Sequence, residues 1–268
     1  MKKCLMGIIF LLLATSFTSY SQEVKKEDKG KLNLAVDFSN RHVWRGQMSL
    51  DKECIKPTIE YVKNNFTIGA WGLYATDSSY DEIDLYIGYK IGNLSFMAYD
   101  FYMRPFEDKN RSLFDYSKEA GIHMLDFTTT YSFQGSFPLS IMAAASWAAN
   151  EANYSYKPTA ATDDKTSALG ELDAVSMYLE LSYPMQVGST KVKYVVGMSP
   201  GKSRHARWFD EQGRKHYSEG AFYLTNIGLH LADKIQITDK FALPISGGLT
   251  FNPHQEKLLL QLNISLSN

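Results

Sequence analysis

The sequence predicts an all-β protein: a transmembrane antiparallel up-and-down β-barrel of about twelve strands, within roughly ten to fourteen. Three observations predict it. From Leu32 onward, apolar and polar residues alternate with period two in segments of about eight to thirteen residues, longer than the five or six of an ordinary strand. The connections between these segments alternate short and long, as in outer-membrane barrels. Aromatic residues gather at the segment ends, where amphipathic rings favour a membrane interface.

The N-terminal stretch comes first. Lys2 and Lys3 precede the apolar run Leu5 to Ala14, and Ser19-Tyr20-Ser21 precedes Gln22, the three regions of a secretory signal peptide. The run is about ten residues and a spanning helix needs roughly twenty, so the pattern predicts a signal peptide over 1–21, cleaved after Ser21. Cys4 is lost with it. Cys54 then stands alone, giving no intramolecular disulfide and no metal-ligand or catalytic-thiol spacing. No later apolar run approaches eighteen residues, so export is expected to continue to the outer membrane of a Gram-negative-type bacterium. Residues 22–31 are mostly charged, too polar to fold alone, and are expected to be a mobile periplasmic lead-in. The barrel is expected over 32–268.

Strands are expected at 32–44, 55–62, 66–75, 82–90, 94–104, 121–133, 139–149, 174–183, 191–198, 221–233, 241–252 and 257–266. In the first, Leu32, Leu34, Val36 and Phe38 share one face, against Asn33, Asp37, Ser39, Arg41 and Arg45 on the other. In the last, Leu258, Leu260, Leu262, Ile264 and Leu266 oppose Gln261, Asn263 and Ser265. One face suits hydrocarbon and the other water. The lower connections, such as 63–65 and 91–93, are short; the upper ones 105–120, 150–173 and 199–220 run to about sixteen to twenty-four residues. A soluble sandwich has no reason to put every long loop at one end. Trp44 and Trp147 are expected in an upper aromatic girdle, with Tyr61, Tyr89, Phe133 and Tyr183 in a lower one. In 94–104 two apolar sets compete for the lipid face. Met97, Tyr99, Phe101 and Met103 are assigned to lipid, which leaves Asp100 and Arg104 inside, because an arginine facing lipid at mid-depth costs roughly 2–4 kcal/mol.

The expected lumen then carries Asp37, Glu60, Asp84, Asp100, Asp126 and Glu180. Against them stand Arg41, Arg45, Lys56, Lys90, Arg104 and Lys193. Equal numbers of each sign suit a weakly charge-selective pore for small polar solutes, or a barrel nearly closed by its own ion pairs. Arg41 and Arg45 lie four apart, so in a strand they share a face: a basic step at the mouth, or partners of Glu60 or Asp84 across neighbouring strands. Gly46 is expected to be the turn residue that lets the chain leave the strand.

The loop 199–220 is the locally basic one, with Lys202, Arg204, His205, Arg207, Arg214, Lys215 and His216. It suits lipopolysaccharide phosphates, an inward constriction, or a solvated loop. The loop 150–173 is acidic and expected to be solvated. His216-Tyr217-Ser218 has the histidine-serine spacing of outer-membrane phospholipases, but three residues in a polar loop match by chance, so no enzyme, metal or cofactor is expected. With 28 basic and 29 acidic residues, charge gives no reason to expect nucleic acid. Expected partners are outer-membrane lipid and lipopolysaccharide, a small polar solute and the barrel-assembly machinery. A structural, adhesin or assembly-accessory barrel is the alternative.

Ser39-Asn40-Arg41-His42-Val43-Trp44-Arg45-Gly46, followed by Ser49, resembles the opening strand and loop of the TorF family of porins. Pro57, Gly69-Ala70-Trp71 and Glu82-x-Asp84-x-Tyr86-x-Gly88-Tyr89 follow in that family's order. The similarity is clearest over 32–104, and the Trp44-Arg45-Gly46 cluster is its most specific piece. Two positions depart from the pattern: His42, where the family more often has an aromatic, and the ending Leu266-Ser267-Asn268, where barrel-assembly signals carry a terminal aromatic. The resemblance implies a β-barrel and a pore; it supplies no substrate and no catalytic residue.

N-terminal sequencing of the protein from a membrane fraction is expected to read from Gln22. An intact Met1 in a soluble fraction overturns the leader and the barrel together.

Overall fold

The computed structural model describes residues 29–104, 112–116, 122–148, 176–200, 207–209, 215–217 and 222–268. The expected leader and most of the lead-in lie outside these residues. In chain order the strands are β1 (Lys31–Ser39), β2 (His42–Trp44), β3 (Gln47–Leu50), β4 (Cys54–Lys63), β5 (Phe66–Ala75), β6 (Asp81–Ile91), β7 (Leu94–Arg104) and β8 (Ile122–Ser132). They continue with β9 (Ser140–Ala148), β10 (Ser176–Val187), β11 (Thr190–Ser199), β12 (Arg207–Phe209), β13 (Lys215–Tyr217), β14 (Tyr223–Thr238), β15 (Phe241–Asn252) and β16 (Lys257–Ser267).

Among the described residues twelve strands, β1, β4 to β11 and β14 to β16, close into an antiparallel barrel, and β16 pairs back onto β1. The remaining four form two separate hairpins, β2–β3 and β12–β13. At one end the strands are joined by two-residue turns, Asn64-Asn65 after β4 and Gly92-Asn93 after β6. Asn64 and Gly92 hold the positive φ that such tight turns demand, 52° and 56°.

Alternation decides which way each side chain faces. Leu34 and Phe38 of β1, Ile59 of β4, Ile87 of β6, Leu231 of β14 and Leu262 of β16 all lie exposed on the outer wall. So extensive an apolar exterior exceeds anything a soluble monomer carries. It makes a membrane-spanning barrel, in which hydrocarbon takes the place of water.

Two expectations are corrected. The first strand does not run to residue 44. It ends at Ser39, where Asn40 uses its side chain to serve the neighbouring strand: Nδ2 donates to the Leu260 carbonyl (3.2 Å) and Oδ1 accepts from the Leu262 N–H (2.8 Å). With β16 satisfied, the chain is released inward into β2 and β3. Arg45, with φ at 50°, sits in the turn between them and not in a strand.

The second correction is the face of β7. Tyr99 lies in register with Tyr86 and Asp126, and Asp100 with Leu85 and Leu125. Met97, Tyr99, Phe101 and Met103 face the lumen, with Tyr99 stacked on Phe101 at 5.3 Å. Asp100 therefore faces outward, and Arg104 falls at the same alternation, in register with Asp81. Asp100 tolerates this because it is covered. His123 Nδ1 lies 2.9 Å from its Oδ1, Tyr116 donates its hydroxyl to Oδ2, and the Tyr116 ring stacks on His123 at 4.0 Å. Tyr116 thus covers a polar pair that the lipid face could not otherwise hold.

Where the hairpin returns to the wall, Leu50, Cys54, Leu73 and Ala75 form a buried cluster flanked by Trp71 and Tyr80. Cys54 is 2% exposed. In the folded mature protein it is expected to resist a maleimide-polyethylene glycol reagent, and to react only after heating in detergent. Rapid labelling of the folded form would show that 40–54 does not pack inside the barrel.

Candidate functional site

The site is the lumen, and its centre is the β2–β3 hairpin. The turn Trp44-Arg45-Gly46 crosses to strands on the far side of the ring from β1. Arg45 forms a two-pronged pair with Asp126 of β8, Nη1 to Oδ2 at 2.7 Å and Nη2 to Oδ1 at 2.9 Å. Both groups are buried: the Arg45 side chain is 8% exposed and that of Asp126 not at all. Asp126 also accepts from Ser146 Oγ (2.6 Å) and Thr128 Oγ1 (2.8 Å), so its carboxylate is fully engaged. The guanidinium lies over the Trp44 ring at 4.4 Å and the Tyr178 ring at 5.4 Å, and Trp44 and Phe101 pack in a T-shaped arrangement at 5.7 Å.

Gly46 has φ at 81°, and a Cβ there would lie 2.0 Å from the Thr225 carbonyl oxygen, so no other residue fits the seat. Its carbonyl accepts from Asn252 Nδ2 of β15 at 2.9 Å. Val43 N–H donates to Gln261 of β16 (3.0 Å), and His42 packs on Trp71 of β5 at 5.3 Å. The hairpin is thus tied to the wall on several sides at once.

The arginines do not form a basic step, nor do they pair with Glu60 or Asp84. Arg41 stays at the rim with Asp51, 3.1 Å away and partly solvated, while Arg45 is spent on Asp126. The reason is that β1 ends at Ser39 and Arg45 sits in the β2–β3 turn, so the two arginines do not share a strand face.

Two cavities adjoin the hairpin, and Val43 borders both. The larger, about 750 Å³, is lined by the carboxyls of Glu60, Glu82, Asp84 and Glu180, the rings of Trp44, Trp71, Tyr86 and Tyr99, and the thioethers of Met97 and Met124. Tyrosines hold the carboxylates in place: Tyr86 donates to Glu60 (3.1 Å), Tyr80 to Glu82 (2.6 Å) and Tyr178 to Glu180 (2.8 Å). The smaller, about 670 Å³, is lined by Lys191, Lys193, His230, Gln186, Gln261 and Asn263. Near it Lys56 donates to Asn263 Oδ1 (2.9 Å) and stands in register with Asp37. Lys90 lies on the inward alternation of β6 near its two-residue turn. Apart from Arg45, which lines the larger cavity and is paired with Asp126, the charges are therefore sorted by sign into two chambers.

The residues that carried the family resemblance converge here. Trp44, Arg45, Trp71, Glu82, Asp84 and Tyr86 line the larger cavity, Gly46 forms the hairpin tip, and Ser39 donates to Asn263 where β1 ends. At Gly69 a Cβ would lie 2.7 Å from the Ile59 carbonyl oxygen and 2.5 Å from the Tyr86 ring, and at Gly88 one would lie 2.3 Å from Met97 Sδ, which would have to shift. Tyr178, Asn226 and Asn252, which seat the hairpin, were not singled out from sequence; the available signal was three large polar side chains on inward alternations. Of the basic loop, Arg207–Phe209 pairs with Lys215–Tyr217, and Ser218 lies outside the described residues.

Neither a family model nor a curated protein sequence matches this chain. Among solved structures it is similar to an outer membrane channel from Pseudomonas putida F1, at 11% identity and TM-score 0.42, over 94% of this chain and 99% of that one. It is also similar to a BenF-like porin from Pseudomonas fluorescens Pf-5, at 12% identity and TM-score 0.33, over 86% of this chain and 58% of that one. Likeness at this level transfers no function.

Replacing either member of the buried pair alone, Arg45→Gln or Asp126→Asn, strands a charge and is expected to cost about 3–5 kcal/mol. The double variant is expected to recover part of that loss. Urea titrations followed by tryptophan fluorescence measure it, and strictly additive losses would show that the two groups are not coupled.

Proposed function

We propose that this chain is a narrow outer-membrane channel through which small polar solutes diffuse passively, past a hairpin that constricts the lumen. The observation that carries the reading is a lumen that bears charged side chains and holds two sizeable cavities, inside a wall whose outside is apolar. A barrel serving only as a membrane anchor has no use for such chambers. The resemblance of residues 32–104 to TorF porins, and the leader-like N-terminus, support the same location and role. Outer-membrane lipid is then the solvent of the outer wall, with lipopolysaccharide at the rim of the long loops.

Weak charge selectivity follows from the sorting of charge. An ion of either sign meets one chamber that attracts it and one that repels it, so neither sign crosses at a large advantage. Conductance is modest because twelve strands enclose less room than a sixteen-stranded porin, and the hairpin takes part of it. The Asp100–His123 pair is read as structural, since it is sealed beneath Tyr116 and Tyr102 on the outer wall.

One observation favours a closed structural barrel: the ion pair and the Asn252–Gly46 hydrogen bond bind the hairpin across the lumen. Planar bilayers separate the two readings. The refolded wild type is expected to give small steps with a reversal potential near zero in a salt gradient. A variant with 41–50 replaced by a short turn is expected to give steps several-fold larger, with heat-dependent gel mobility as the folding control. Steps from the variant alone would establish the closed barrel, and silence from both would end the channel reading.

A further inference from the structure

We propose that the larger cavity binds an organic cation, a substituted ammonium group with an apolar surround, a site that rests on the channel reading only for how its occupant arrives. Asp84 is the central observation. It is 5% exposed, lines the cavity, and its Oδ1 meets no hydrogen-bond donor among the described residues. A buried carboxylate oxygen left in that state is costly; a proton shared with a neighbouring carboxyl offsets part of the cost, and a bound cation offsets it for the ionised form. Glu82, two residues along the same face, comes close enough to share a hydrogen bond with Asp84. Two carboxyls so placed repel when both are ionised, and a positive charge between them relieves the repulsion.

The side chains that line the cavity beside the carboxyls select the kind of cation. A hard metal ion needs six or more oxygen ligands or retained water. Here the carboxyls share the cavity with aromatic rings and thioethers, among them Trp71, in register with Asp84, and Tyr86, Tyr99 and Met97. Such rings attract cations whose charge is spread over an alkylated surface. The lumen already uses this chemistry once, where the Arg45 guanidinium lies 4.4 Å from the centre of the Trp44 ring. Arg45 is held elsewhere, its two terminal nitrogens donating to Asp126, Ser146 and Thr128. A volume of about 750 Å³ admits a small organic solute.

The test is calorimetric titration of the refolded mature protein in detergent with choline, and with 3,3-dimethylbutan-1-ol, which has carbon in place of the charged nitrogen. Choline is expected to bind saturably and the alcohol not to bind. Asp84→Asn, which keeps the shape and removes the charge, is expected to weaken choline binding about tenfold. Equal binding of the two probes, or no saturable choline binding, overturns the site on the wild type alone, whether or not the variant folds. A folded D84N protein that binds choline as the wild type does overturns it too. Binding needs no ion flow, so a protein silent in bilayers that binds choline loses the channel reading and keeps the site, whereas one that conducts without binding choline loses only the site.

Discussion

Everything in this molecule depends on closing the backbone hydrogen-bond ladder, because hydrocarbon offers no water to an unpaired N–H or C=O. The seam between β1 and β16 is where closure is hardest. It has five register pairs, against nine between β1 and β4. An asparagine extends it at each end. Asn40 serves Leu260 and Leu262 above, while Asn268 below accepts from the Leu34 N–H through Oδ1 (2.8 Å) and donates through Nδ2 to the Leu32 carbonyl (3.1 Å). Asn268 thus has structural work to do in the seam.

Closure at twelve strands creates the second constraint, an interior too wide for wall side chains alone to fill. The hairpin fills it, and brings a guanidinium into a place without solvent. That is tolerable only because Asp126 meets it with two-pronged geometry and has its remaining lone pairs satisfied by Ser146 and Thr128. At the rim the rules differ. Lys52 lies 2.5 Å from Asp77, and its hydrogen bond, with those from Ser79, holds the Asp77 carboxyl below its usual range. The pair strengthens the fold above the ordinary carboxylate pKa and ceases to do so as acid protonates Asp77, but both partners are solvated and contribute little.

Most of the wall was legible because a barrel strand must alternate, and alternation is a property of the sequence itself. Strands at 66–75, 94–104 and 241–252 were anticipated to the residue. The face of β7 was not, for a physical reason: the hairpin makes part of the lumen apolar, so Tyr99 and Phe101 face inward while Leu94 and Phe96 face lipid, and both sides of the strand read as hydrophobic. An outward Asp100 broke the rule that the assignment relied on, since its cover comes from Tyr116, in a loop no periodicity describes. The hairpin itself was hidden because Arg41 and Arg45 fall on the polar alternation of β1, whereas the chain leaves the wall at Ser39, where Asn40 serves β16, and turns at the positive φ of Arg45 and Gly46.

The contacts of the hairpin also bear on the order in which the protein can form. Arg45 reaches a residue 81 positions away, Gly46 one 206 away and Val43 one 218 away. Its seat is made by β8, β9, β14, β15 and β16, so a segment synthesised near the start has no resting place until the last strands arrive. Contacts of such long range form late, after loop closure has already been achieved by other means. Insertion of the hairpin is therefore a terminal event of assembly, and a cylinder lacking any of those strands is left without its occupant.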